Sequence, residues 1–429
     1  RPETISASLL NDGEFRTYIT SSGNLETLVR NDSGAPIAAD TELQIPVGNQ
    51  GLSNDVVYVD KNNGDNSNSG YSWYDAKETV LHALTLGKKK IFVNQGVYLL
   101  GETMGTYTAP QDVTIEGKGN VFFTSSPAPV SAWTATGQTQ TWTSSPPNSS
   151  TYVGIWAIDY SDEFGNPYLF KKVSSVAEGS ANTGSWYQSA GGSAIYIHMP
   201  DGSQPADNSV YPTQSSPIRH AADANVMIKN IDFIGGSGGA YSGRDSTQES
   251  RSVVVDCGFF LNHSADGYQI KDIGSSIAIN CKTANNFNDG FNYHERNGVT
   301  PNSIEVDCKG FTAQALATGN GSTLHEDCAI FRLNCEYHYN EGKAVADIEQ
   351  SKSVNVNIST SKSGYINSDT NADGYSFSGD EFWLINSYTS QNTGEPVRIY
   401  EQATLHLLGT TIQRDSVKIE DTAVLSLID

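Results

Sequence analysis

The chain has 429 residues, with 26 lysines and arginines against 48 aspartates and glutamates, a net charge of −22 spread along its length. Nucleic-acid binding needs clustered cations, and the one basic run is Lys88, Lys89 and Lys90; no apolar stretch approaches the length of a membrane span. A composition rich in Gly, Ser, Thr, Asn, Asp and Tyr, with only 3 Met, favours many short strands joined by polar turns over helices.

Residues 1–54 are polar and turn-rich ("GNLETLVRNDSGAPIAAD") and are expected to form a neck or connector ahead of the main body, residues 55–429. "VVYVD" predicts a strand. The following "NNGDNSNSG" predicts a loop whose Asp and Asn residues serve a solvated turn, since the closing Glu of a calcium loop is missing. Asp75 and Glu78 suggest a capping box for a short helix through Val80, Leu81 and Leu84 that stops at Gly87. "KIFVNQGVYLL" and "DVTIEG" return to strands, so this single helix reads as a plug over the open end of something long. A β-rich insertion is expected at about 125–220. Trp133, Trp142, Trp156, Trp186 and Tyr187 gather there, either as flat surfaces for sugar rings or as the core of a small subdomain.

From Asn225 onward the sequence repeats itself. "RSVVVDCGFF", "SSIAINCKTA", "NSIEVDCKGF" and "AIFRLNCEYH" share alternating apolar residues, then Asp or Asn, then Cys. Cys257, Cys281, Cys308 and Cys335 are 24, 27 and 27 residues apart, and each is followed by a polar turn and a second short strand: "DGYQIKD", "DGFNYHE", "NGSTLHE", "EGKAVAD". Later units lose the cysteine and keep the form. A period in the twenties with two or three strands per unit is the mark of a β-solenoid, in which equivalent residues stack in columns. The five cysteines, Cys328 included, have neither an even count nor a zinc spacing, so they are expected as buried free thiols, four of them in one interior column.

These phrases resemble the right-handed parallel β-helix proteins of the pectate-lyase type. "VYVDKNNGDNSNSG", "AKETVLHAL" and "KKIFVNQGVYLL" resemble their common opening with a capping helix. "GSWYQSAGGSAIYIHMPDGSQPADNSV" is similar to the small β insertion of polysaccharide-acting members, and "NVMIKNIDFIGG" to their re-entry into regular coils. With the neck-like first 50 residues, the closest picture is a bacteriophage tailspike that degrades capsule or lipopolysaccharide. That resemblance implies an all-β, right-handed parallel β-helix, a homotrimer, and attachment through the N-terminus to a phage tail or baseplate. A location in the virion follows, with a secreted bacterial enzyme as the alternative.

Stacking the units predicts three polar columns. One reads Arg244, Lys271, His294, His325; the next Asp245, Asp272, Glu295, Glu326, Asp347; a third, at the turn before the strand, Asp266, Asp289, Asn320, Glu341, Asp373. Adjacent rungs lie about 4.8 Å apart, which brings distant carboxylates together. Glycosidases use two carboxyl groups, about 5 Å apart when retaining and roughly 6.5–9.5 Å when inverting. Glu295 and Glu326 are the expected acid/base or nucleophile pair, with Asp289 as alternate. His294, His325, Arg244, Lys271, Asp266 and Asp347 are expected to bind sugar, and no metal or cofactor is expected. Internal hydrolysis of a bacterial surface polysaccharide is the first reading. β-Elimination is the second, because the same cations supply a base and a charge clamp. A non-catalytic glycan-binding adhesin is the third. Asp before Gly also occurs as plain turn chemistry, the structural alternative for Asp266, Asp289 and Asp373.

Overall fold

The computed structural model describes residues 56–244, 250–311, 319–364, 372–412 and 417–427; the expected neck and Asp245 lie outside the described residues. The chain is mostly β and winds into a solenoid of about 12 turns with very little helix. Among the described residues its walls are a 20-stranded sheet, bent once in every turn, and a 10-stranded sheet. All pairings within these walls are parallel, as between Arg251–Val255 and Ser275–Ile279 or between Asp266–Lys271 and Phe291–His294. No helix among the described residues is long and apolar enough to cross a membrane.

The repeated Asp/Asn–Cys phrase explains the bend. Asn230, Asp256, Asn280, Asp307, Asn334, Asn357 and Asn386 all have φ between 48° and 55°, a left-handed conformation that short polar side chains tolerate best after glycine. Each donates its N–H to a carbonyl on the next rung, as Asp256 does to Ile279 O (3.0 Å) and Asn280 to Val306 O (2.8 Å). The residue after the bend turns inward. Cys257, Cys281, Cys308 and Cys335 are therefore buried free thiols in one column, each pointing Sγ at a carbonyl of the preceding rung, such as Ala278 O for Cys308 (3.3 Å). Burial raises the Cys281, Cys308 and Cys335 thiols well above their ordinary range, so they stay protonated. Stacked aromatics continue the core, with Tyr241 over Tyr268 at 5.9 Å.

At the N-terminal end the short helix Val80–Leu84 caps the coil, burying Val80 and Ala83. Its N-cap is Thr79, whose hydroxyl accepts the His82 N–H; Asp75 instead closes a preceding 3₁₀ turn, Trp73–Asp75. The sequence pattern misplaced the cap because Asn66, from the earlier loop, already satisfies the Glu78 and Thr79 N–H groups. Asp60 folds that loop by accepting from Asn62, Asn63 and Asn94.

Between Thr134 and Thr213 lie a five-stranded sheet and the antiparallel pair Gly154–Ala157 with Val210–Thr213. Trp133 and Trp186 are buried in the core of this region, and Trp142 packs against it. Trp156 packs on Phe122 and Tyr211 at the solenoid wall. The buried Trp133, Trp156 and Trp186 thus hold the subdomain together, whereas Trp142 and Tyr187, the latter stacked on Tyr196 at 5.8 Å, keep part of their surface exposed. Gly154 sits against His263: a Cβ there would lie 1.7 Å from its Nε2.

Candidate active site

The outward face of the ten-stranded sheet carries the polar columns. Strand alternation sends Tyr268, Ile270, Phe291 and Tyr293 into the core and leaves Gln269, Lys271, Asn292 and His294 facing out. The register sets Gly243 beside Ile270 and Lys271 beside His294, so Arg244 continues the column above Lys271. Tyr293 pairs with Leu324, which carries His325 next to His294, and the two imidazoles stack with centroids 3.9 Å apart and planes 12° from parallel. The strand Phe291–His294 ends at His294, so Glu295 starts the corner and is released from alternation.

Glu326 is the centre of this group. Its side chain is 39% exposed and lies 3.2 Å from His294 Nδ1. Its Oε2 accepts the Glu295 N–H at 3.1 Å, and its own N–H donates to Glu349 Oε2 at 2.9 Å. The Glu295 carboxylate accepts from the Thr300 hydroxyl at 3.0 Å. Burial, Glu349 and Glu295 together push the Glu326 carboxyl up to about 7. Burial, with the neighbouring His325 and Lys271, pushes His294 down to about 2, and burial also lowers His325. Both rings are thus neutral at pH 7, and His294 Nδ1 lies within hydrogen-bonding reach of both Glu326 oxygens, at 3.3 and 3.2 Å. Lys271 is held below the ordinary lysine range by burial and by Arg244, against the opposing pull of Asp266 and Glu326.

Asp266 and Asp289 form a different pair at the other edge of the sheet. They are 1% and 3% exposed. Asp266 accepts from the Asp289 N–H (3.1 Å), Asn288 Nδ2 (2.8 Å) and Gln269, and Asp289 accepts the Asn320 N–H (2.8 Å). Burial and the Asp266 charge push Asp289 up to about 8; burial raises Asp266 as well. Asp289 stands six residues before Glu295, on the order of 20 Å along extended backbone, well beyond the roughly 6.5–9.5 Å of an inverting pair. Asp289 is thus set apart from Glu295 by the length of the strand Phe291–His294 and is nearly closed to solvent.

Two expected alignments are corrected by the register. Asp347 pairs with Leu324, an inward position, so it leaves the carboxylate column, where Glu349 stands instead. It is fully buried and grips Arg332 through two 2.8 Å bonds, unable to touch a sugar on the surface. In the turn column Lys343, not Glu341, follows Asn320, with its N–H on Asn320 Oδ1 at 2.7 Å. The sequence reading also missed the interior network itself. Glu305 and Arg332 pair in register inside the solenoid, and Glu305 accepts from Ser322 (2.9 Å) and Tyr337. The signal was available: in the aligned repeats both occupy the slot held by Val254 and Ala278.

No family model matches the sequence, and no curated protein sequence matches it. Solved structures resemble it distantly. A glycoside hydrolase is 10% identical with a TM-score of 0.47, covering 87% of this chain and 96% of its own. Pectate lyase Pel9A is 11% identical with a TM-score of 0.41, covering 86% and 78%. The Gp54 tailspike of Acinetobacter baumannii bacteriophage AP22, solved in complex with A. baumannii capsular saccharide, is 10% identical with a TM-score of 0.25, covering 80% and 69%.

A concavity of about 380 Å³ lies elsewhere, at the bend of the 20-stranded sheet, and is lined by Asp232, Asp256, Asp307, Lys282, Lys309 and Phe260, among others. Burial raises its Asp232 carboxyl to about 6. The ten-stranded face instead joins a near-neutral carboxyl, a second carboxylate and two imidazoles within two rungs.

Proposed function

We propose that this protein is an endo-acting depolymerase that hydrolyses glycosidic bonds in a bacterial surface polysaccharide, capsule or O-antigen. Glu326 is the proton donor and Glu295 the second carboxylate. The observation that carries this reading is the half-exposed Glu326 carboxyl, pushed up to about 7, one rung from Glu295 and bonded to a neutral imidazole. A general acid works best when it is protonated near the working pH yet close to releasing its proton. The one-rung offset, about 4.8 Å between backbones, favours the close carboxyl spacing of a retaining enzyme over the wider inverting one. His294 and His325 offer neutral ring nitrogens to sugar hydroxyls, and Lys271 and Arg244 extend the polar column towards the N-terminal rungs. A trimeric tailspike on a phage particle is the setting that the sequence phrases favour.

One observation supports β-elimination as a second reading: Lys271, beside His294, is partly stripped of water and held below the ordinary lysine range, as a base requires. Incubation with a panel of capsular polysaccharides and lipopolysaccharides separates the readings. New reducing ends without ultraviolet absorbance are expected. Unsaturated uronate products would replace hydrolysis by elimination, and binding without any product would leave a glycan-binding adhesin.

A further inference from the structure

We propose that His294, His325 and Glu326 form a binding site for a divalent transition metal such as Zn²⁺ or Cu²⁺. One donor atom from each lies within 4.8 Å of the other two. Four-coordinate zinc with bonds of 2.0–2.2 Å needs neighbouring donors about 3.4 Å apart. His294 Nδ1 and the Glu326 oxygens are already 3.2 and 3.3 Å apart, so a metal ion can replace the proton between them with almost no movement. The stacked His325 ring, 3.9 Å from His294, supplies the third donor after a small side-chain shift. Two imidazoles and one carboxylate suit zinc, copper or nickel better than calcium or magnesium, which prefer all-oxygen shells.

The surroundings fix these ligands. Successive rungs of the sheet hold the two histidine backbones, and the Glu295 N–H anchors the Glu326 carboxylate at Oε2. Three protein ligands leave the fourth position of a tetrahedral ion for water or another ligand. The inference does not rest on the depolymerase reading, because binding is measured without substrate, and an ion held there would take up the Glu326 carboxyl that proton donation requires.

The test uses untagged full-length protein titrated with Zn²⁺ in a calorimeter, and the Cu²⁺ complex examined by electron paramagnetic resonance. We expect one site per chain at micromolar affinity or better, weakened at least tenfold in His325→Ala and in His294→Ala, with melting curves confirming that both variants fold. The wild-type Cu²⁺ spectrum, which needs no variant, is expected to show two coordinated nitrogens. Affinity weaker than millimolar, undiminished affinity in both folded variants, or a spectrum without two coordinated nitrogens would overturn the proposal.

Discussion

At the scale of single residues, the same kind of side chain serves opposite ends depending on which way its rung turns it. Glu326, half exposed at a corner, keeps a proton near neutrality; Asp347, on the inward face of the next strand, is a buried anchor for Arg332. If Glu326 is the proton donor, Glu326→Gln should lower kcat by about 10²-fold or more with melting unchanged, the range expected for loss of a general acid. The catalysed rate should fall as pH rises through about 7, because the donor works only while protonated, and a pH–rate profile of kcat/KM checks this. Asp347→Ala should instead cost about 3–5 kcal/mol of stability, since it strands a buried guanidinium, and denaturant midpoints measure that loss. The sequence put Asp347 in the wrong column because it was aligned by its charge. The ladder aligns by inward volume, matching Val345 to Ser322 and Asp347 to Leu324.

At the scale of the repeated element, most of the architecture was legible. Asp or Asn followed by Cys marks a left-handed bend and an inward spacer, and the regular recurrence of that phrase gave the solenoid directly. Asn280 takes φ of 49° and bonds Asp256 Oδ1 through its Nδ2 at 2.8 Å. Asn280→Val should therefore destabilise by about 1–2 kcal/mol or more, and Asn280→Gly by less, read as shifts in denaturant midpoint. Less legible was the fate of the acids at each corner. Glu326, Glu349, Asp266, Asp289 and Asp373 all accept a backbone N–H from an adjacent rung, so turn chemistry and candidate chemistry overlap in the same atoms. Only exposure separates them, and exposure depends on packing between turns that a single repeat does not encode.

At the scale of the whole molecule, buried titratable groups set the pH range of stability. Burial holds His220 and His263 neutral, each down to about 4. The unfolded chain takes up their protons first, so their contribution is complete above about 6.5 and is lost as pH falls through about 4. Asp289 is displaced upward, so its contribution is complete below about 4 and is lost as pH rises through about 8. The melting temperature should accordingly decline between about pH 6.5 and 8, and Asp289→Asn, which keeps an oxygen for the Asn320 N–H, should flatten that decline. The long parallel wall that gathers these groups also creates two rival surfaces, the ten-stranded face and the cavity beside Lys282 and Lys309. The most direct measurement is a structure of Glu326→Gln with a bound oligosaccharide of the polymer it retains. The sugar should lie across the His294 and His325 rungs with a glycosidic oxygen next to residue 326. Density confined to the Lys282 and Lys309 cavity would contradict the assignment.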